Sequence, residues 1–307
     1  MNTLALPELP SQSGTYRWLY TDVVCGDVTA VFIFMVGSLF SARYSASLSR
    51  GGRPQEYCAV NFALYRGGVR RQWVLSEYGG AQVEDGGRTL RIGNSVLRYG
   101  EVGGLSIEVN ERTAPWGRPA EARLELWPRS GKLAELPLDK QGVHYWQPLA
   151  PRAEARLVLP RENFEAVGHG YHDTNHGAEP LGRSVKSWRW ARVHRPEATY
   201  VHYHVPDEEL GQIRVKVAER KVMVLRGGAT EAVPEFSTWG LKVPREVRVG
   251  EAVLPSGRLL ESAPFYARFE GHQDGAHVLG EVADFRRFHS PFIRWMAHFR
   301  TRVEAAA

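Results

Sequence analysis

His144 and Trp146 stand two residues apart in GVHYWQPLAP, and Tyr171 and Asp173 two apart in GHGYHDTNHG. Alternate side chains of an extended segment share a face, so each pair points to one side, and facing strands can bring all four into one cavity. The set suits one kind of chemistry. Adding water across an unactivated alkene needs a proton donor, shelter for a carbocation and a base for the incoming water. A carboxyl in an apolar pocket has its ionised form disfavoured and remains a proton donor near neutrality, which fits Asp173. The electron-rich face of Trp146 can steady a cation. His144 or Tyr171 can accept the water proton or orient Asp173. No redox or metal cofactor enters such a scheme.

Each of these residues also has a plainer role. Asp173 could cap a backbone amide ahead of Gly177, and a tryptophan in a β protein is usually core. His169, His172, Asp173 and His176 are of metal-ligand type. On a strand, however, His169 shares a face with Asp173 while His172 and His176 point the other way, so three ligands converge only if the segment turns. We therefore expect no metal here. His202 and His204 share a strand face and read as a partly exposed wall. Trp188 and Trp190, in SWRWARVH, either line an apolar cavity as substrate-binding residues or belong to the core. Glu77 is either a second carboxylate of the site or a solvated or paired strand end.

The elements that must hold these residues are strands. Short runs rich in Val, Tyr, Trp, Phe and Thr recur between Gly, Pro, Asn and Asp, the pattern of antiparallel sandwiches and barrels. In TYRWLYTDVV, Trp18, Tyr20 and Asp22 share one face, and Arg17, Leu19 and Val23 the other. The fold expected is all-β, with a first unit over 1–180 carrying both motifs and a second over 181–307. The join lies between Gly177 and Ser184. Only the C-terminus reads as helical: Phe292, Trp295, Met296, Phe299 and Val303 recur at helical spacing, with Pro291 in the first turn. Arg294, His298, Arg300 and Arg302 surround that stripe, which either packs on the barrel or touches a membrane.

The chain of 307 residues carries a formal charge of +5. Its Lys and Arg are interspersed with acidic residues, which argues against nucleic-acid binding and for a soluble protein with weak membrane attraction. Cys25 and Cys58 lie in apolar runs and read as free buried thiols rather than a disulfide framework. The N-terminus lacks the pattern of a secretory signal, so a cytoplasmic location is expected. The apolar run Val28 to Ala42 contains Gly37 and Ser38 and is short for a bilayer span, so it reads as a buried strand with its turn.

Seven segments in order, TYRWLYTDVV, IFMVGSLFSARY, CAVNFALY, the IGNS turn, HYWQPLAPRA, GYHDTNHG followed by EPLG, and SWRWARV, resemble the carotenoid 1,2-hydratase family. The likeness covers Tyr16 to Val193. It implies two lipocalin-like units and a cofactor-independent hydration of an acyclic carotene by protonation to a tertiary carbocation. It also places the family's H-x-W residues on His144 and Trp146, and its G-Y-x-D residues on Tyr171 and Asp173. By the resemblance Asp173 is the general acid, Trp146 steadies the cation, Tyr171 holds the acid or the cation, and His144 manages the water. The implied partner is an apolar isoprenoid, met in the cytoplasm with peripheral contact to the membrane. The chain departs from the family pattern at His172 and at Ser76-Glu77-Tyr78, which leaves squalene or a meroterpenoid open as the substrate. A carrier of an apolar ligand and a polyene cyclase are the alternative readings.

Overall fold

The computed structural model describes residues 4–38, 40–101, 103–206, 212–218, 221–226, 234–249, 252–288 and 290–304. The chain divides into two compact units. The first holds Met1–Glu135, Trp146–Pro180 and Arg294–Ala307, and the second Leu136–Tyr145 and Leu181–Ile293.

The strands up to Pro180 are β1 (Tyr16–Cys25), β2 (Val28–Val36), β3 (Cys58–Arg66), β4 (Val69–Tyr78), β5 (Gln82–Glu84), β6 (Thr89–Ile92), β7 (Ser95–Tyr99), β8 (Leu105–Arg112), β9 (Pro119–Pro128), β10 (Leu136–Pro137), β11 (His144–Leu159) and β12 (Phe164–Gly177). Then come β13 (Ser187–His194), β14 (Ala198–His204), β15 (Gln212–Ala218), β16 (Lys221–Arg226), β17 (Pro234–Phe236), β18 (Lys242–Pro244), β19 (Glu246–Val249), β20 (Ala252–Pro255), β21 (Arg258–Ser262), β22 (Tyr266–Gln273) and β23 (Ala276–Asp284). The short β24 (Arg302–Val303) follows the helix α3 (Pro291–Arg300); α1 (Ala42–Ser47) and α2 (Phe285–Phe288) are shorter.

The first sheet runs β24-β4-β3-β2-β1-β12-β11-β9-β8-β7-β6-β5, with β10 paired to β11. It curls, because Leu19, Phe32, Phe62 and Val74 from one half share a single core with Leu97, Ile107, Leu124 and Leu157 from the other. The second unit carries a sheet ordered β16-β15-β14-β13-β23-β22-β21 and two ribbons, β17-β18 and β19-β20. Its core gathers Val193, Phe269, Val278 and Val282 with Leu241, Val247 and Leu254. This is the all-β, lipocalin-like architecture expected from the alternating runs.

The grouping differs from a division at 180/181 in two segments. Leu136–Tyr145 goes with the second unit, and Arg294–Ala307 returns to the first. The return has a local cause. β24 pairs in parallel with β4, the Glu304 N–H donates to the Glu77 carbonyl, and the Arg300 guanidinium sits 4.1 Å from the centre of the Trp73 ring.

The apolar run from Val28 is strand β2, a turn and then α1. Gly37 closes the strand at φ +72°, where a Cβ would lie 2.6 Å from the Thr15 carbonyl oxygen, so only glycine fits. The Ser41 side chain then caps α1 by accepting from the Tyr44 N–H. Cys25 and Cys58 are free and buried, and burial pushes their thiols up to about 11 and about 12. Among the described residues no helix is long and apolar enough to cross a membrane.

Helix α3 corrects one expectation. Phe292, Trp295 and Phe299 are 60%, 57% and 60% exposed, so the aromatic stripe does not pack on the barrel. The half-buried side of the helix carries Ile293, Met296 and Arg300 instead.

His172 is fully buried on the core side of β12, opposite Thr21 of β1. Its Nδ1 lies 2.8 Å from the Tyr20 carbonyl oxygen and 2.9 Å from Thr21 Oγ1. Its Nε2 lies 2.8 Å from the Tyr99 hydroxyl. A carbonyl only accepts, so Nδ1 carries the proton and Nε2 accepts from Tyr99. Burial holds the imidazole near a pKa of about 4 against an ordinary 6.5. The unfolded chain therefore binds the proton first as pH falls. The resulting stability, on the order of 3 kcal/mol, is complete above about pH 6.5 and is lost progressively down to about 4. Urea unfolding between pH 7.5 and 5 should show the midpoint falling, and falling less in His172→Gln, whose neutral amide can both donate and accept. An unchanged pH slope in that variant would count against a neutral buried imidazole.

Candidate active site

Asp173 lies on β12, between β1 and β11. Tyr20 of β1 stands opposite Asp173, and Asp22 opposite Tyr171. Directly paired residues share a face, so Trp18, Tyr20 and Asp22 lie on the same side of the sheet as Tyr171, Asp173 and Asn175. That side is the reverse of the one bearing Leu19, Val23, Phe32 and Phe62, which faces the core. Tyr171 and Asp173 are nonetheless buried.

The close approach of β12 to its neighbours has a sequence cause. A Cβ at Gly170, the glycine of the G-Y-x-D motif, would sit 2.9 Å from Leu126 Cδ1 and 3.2 Å from the Asp22 carbonyl oxygen. Glycine therefore lets the strand settle one residue ahead of Tyr171.

On that reverse face two donors converge on a single carboxylate oxygen. The Trp146 indole N–H donates to Asp173 Oδ2 at 2.7 Å, and the Tyr171 hydroxyl donates to the same oxygen at 2.6 Å. Trp146 is wholly buried. The Tyr20 ring meets the Tyr171 ring edge-on, with centroids 6.1 Å apart. The expected cavity of facing strands is thus an arrangement of neighbouring strands: the cluster forms across β11 and β12 of one sheet. Chemically it is a fixed carboxyl group with aromatic rings beside it. Because both donors engage Oδ2, a proton to be given away is best carried on Oδ1.

His144 is buried two residues before Trp146 on β11 and belongs with the second unit. The carboxylate of Asp139 fixes it: Oδ1 accepts from the Val143 N–H at 3.0 Å, and Oδ2 from the His144 N–H at 2.7 Å. The His144 carbonyl in turn accepts from the Leu138 N–H. Trp188 and Trp190 are buried on β13 of the second unit, where the Trp188 ring packs on Phe285 at a centroid distance of 4.4 Å.

Other residues singled out in the sequence take structural places. His172 points into the core, His169 stands opposite Val24 on the Asp173 side, and His176 Nε2 meets Glu135 Oε1 at 3.2 Å. The histidines of this segment thus divide between the two faces of β12. Glu77 is buried and forms an ion pair with Arg43 at 2.8 Å. It lies four strands from β12 in the sheet order, about 19 Å measured along the sheet.

Among the buried carboxyl groups to which the sequence assigned no role are Asp22 and Glu111. Asp22 is fully buried beside Tyr20; its signal was an aspartate inside an otherwise apolar and aromatic strand. Glu111 accepts from the Tyr78 and Ser95 hydroxyls at 2.7 and 2.6 Å, and burial raises its pKa. Nothing in LSIEVNER sets it apart.

The sequence model described as carotenoid hydratase CrtC matches residues 32–305. The chain is 31% identical to the acyclic carotenoid 1,2-hydratase of Thiocapsa roseopersicina over 305 residues, 94% of this chain and 73% of that protein. It is 34% identical to the acyclic carotenoid 1,2-hydratase of Rubrivivax gelatinosus, covering 89% of this chain and 68% of that one. In structure it is similar to an AttH-type protein of Nitrosomonas europaea, with a TM-score of 0.63 at 10% identity over 92% of this chain and 97% of the other.

The shared oxygen makes a direct prediction. A hydrogen bond to a neutral carboxyl group contributes about 0.5–1.5 kcal/mol, so Tyr171 and Asp173 should be energetically coupled. A cycle of Tyr171→Phe and Asp173→Leu, measured by chemical denaturation, should give a coupling of about 0.5–1.5 kcal/mol. Additive effects of the two changes would contradict the bond.

Proposed function

The chain belongs to the carotenoid hydratase family, and from that premise we propose that it adds water to the terminal isoprenoid double bond of an acyclic carotenoid or related chain, with Asp173 as the general acid. The observation that carries the proposal is the convergence of Trp146 and Tyr171 on Asp173 Oδ2. When Asp173 gives its proton to the alkene it becomes a carboxylate, and both hydrogen bonds become charge-assisted and stronger. They therefore stabilise the transition state more than the ground state, as acceleration of the chemical step requires.

The proton adds to the less substituted carbon of the double bond and leaves a tertiary cation. The faces of Trp146 and Tyr171, with Tyr20 beside them, offer negative potential to that centre. Water then attacks the cation through oxygen. His144 takes a proton from the resulting oxonium, and return of a proton to Asp173 completes the cycle. Alkene and water have become one tertiary alcohol, with no change of oxidation state overall and no redox or metal centre required.

The aromatic face of α3 supports a place of action. Phe292, Trp295 and Phe299 are exposed beside His298, and Arg294, Arg300 and Arg302 lie in the same segment. An apolar stripe with basic neighbours suits the surface of an anionic bilayer, where an isoprenoid substrate dissolves. The protein would then work from the cytoplasmic side as a peripheral enzyme.

Two measurements test these assignments. Asp173→Asn should lower hydration of lycopene or neurosporene in detergent by at least about a hundredfold, the lower range for loss of an acid, with an unchanged far-ultraviolet circular dichroism spectrum. Turnover near that of the wild type would remove Asp173 from the mechanism, and tight retention of unchanged ligand by both proteins would favour a carrier. Replacing Phe292, Trp295 and Phe299 by Ser should reduce co-sedimentation with anionic vesicles several-fold while sparing turnover of detergent-dispersed substrate. Equal vesicle binding would refute the docking role of α3.

A further inference from the structure

The hairpin of β22 and β23 in the second unit carries a group of ligand-type side chains that the hydration chemistry does not use. Asp274 and Gly275 form its tight turn with positive φ at both positions, and the register places His272 directly opposite His277. Glu270, two residues before His272, projects from the same face.

Ligand-type atoms of Glu270, His272 and His277 all lie within 4.8 Å of one another. Glu270 Oε1 is 3.0 Å from His277 Nε2 and 3.8 Å from His272 Nε2. The two imidazole rings are 4.5 Å apart between centroids. A tetrahedral cation with ligand bonds of about 2.0–2.1 Å spaces its ligands roughly 3.3 Å apart, which the two separations from Glu270 Oε1 bracket. Glu270 and His277 are buried, whereas His272 is half exposed, which leaves an approach from solvent.

We propose that Glu270, His272 and His277 form a binding site for a zinc-class divalent cation, with water completing the coordination. The donor set is two imidazoles and one carboxylate, which suits zinc, cobalt(II) or nickel(II) better than calcium or magnesium. A ligating imidazole binds through an unprotonated ring nitrogen, and His277 Nε2 already stands 3.0 Å from Glu270 Oε1. The cation replaces the proton that His277 now shares with Glu270. The displaced proton moves to the other ring nitrogen, so His277 stays neutral throughout. Arg192, a fixed positive charge that acts on His277, opposes the cation; the Glu270 carboxylate at the first coordination shell offsets it. A cation held by both strands would clamp the hairpin.

The test uses untagged full-length protein stripped with chelator and titrated with cobalt(II), read by visible absorption and calorimetry, and with zinc, read by thermal unfolding. One equivalent should bind with the d–d absorption of a low-coordinate site, and zinc should raise Tm. In His272→Ala, whose side chain contributes little packing, affinity should fall at least about tenfold and the zinc-dependent rise in Tm should vanish. Glu270→Gln should do the same. Asp173→Asn should bind cobalt like the wild type, which separates this site from the hydration reading. Absence of stoichiometric binding, or equal affinity in His272→Ala, would overturn the proposal.

Discussion

A buried carboxylate oxygen that receives two hydrogen bonds must have both donors held rigidly, and in this protein that requirement reaches through several strands. Trp146 comes from β11, while Tyr171 and Asp173 come from β12. β12 is in turn pinned to β1 by a register that runs unbroken from Tyr16–Gly177 to Val24–His169. Because side chains alternate, a slip of one residue would send Asp173 into the apolar core and His172 out of it. The two residues have opposite needs. His172 is satisfied within the core by Tyr99, Thr21 and the Tyr20 carbonyl, and it thereby helps to lock the register on which Asp173 depends.

The same register explains why structural and chemical roles sit side by side in GYHDTNHG. Odd positions from His169 to Asn175 face the side of Tyr20 and Asp22, and even positions face the barrel interior. Gly170 falls among the even positions, where a side chain would collide with Leu126. The motif is therefore a strand with one working face and one packing face.

Much of this was legible from spacing. The two-residue alternation that pairs Tyr171 with Asp173, and Trp18 with Tyr20 and Asp22, is local geometry, and so is the strand-turn reading of the run from Val28. Long-range placement was not legible. That Trp146 and Asp173 meet on neighbouring strands, that Asp22 lies on the same face, and that Glu77 ends beside Arg43 all depend on strand order, which no local pattern encodes. The stripe of α3 illustrates a second limit: periodicity identifies an apolar face without saying whether protein or another phase covers it. Glu270, His272 and His277 passed unnoticed because their juxtaposition requires the tight turn at Asp274 and Gly275 to set the cross-strand pairing.

The central claim is proton transfer to carbon followed by capture of water. Its most direct test is mass spectrometry of the product formed from lycopene by the wild-type enzyme in deuterium oxide enriched in oxygen-18. The account predicts a single oxygen-18 hydroxyl on the tertiary carbon and a single deuterium on the adjacent carbon. An isomeric product without added oxygen would contradict it and identify a cyclase.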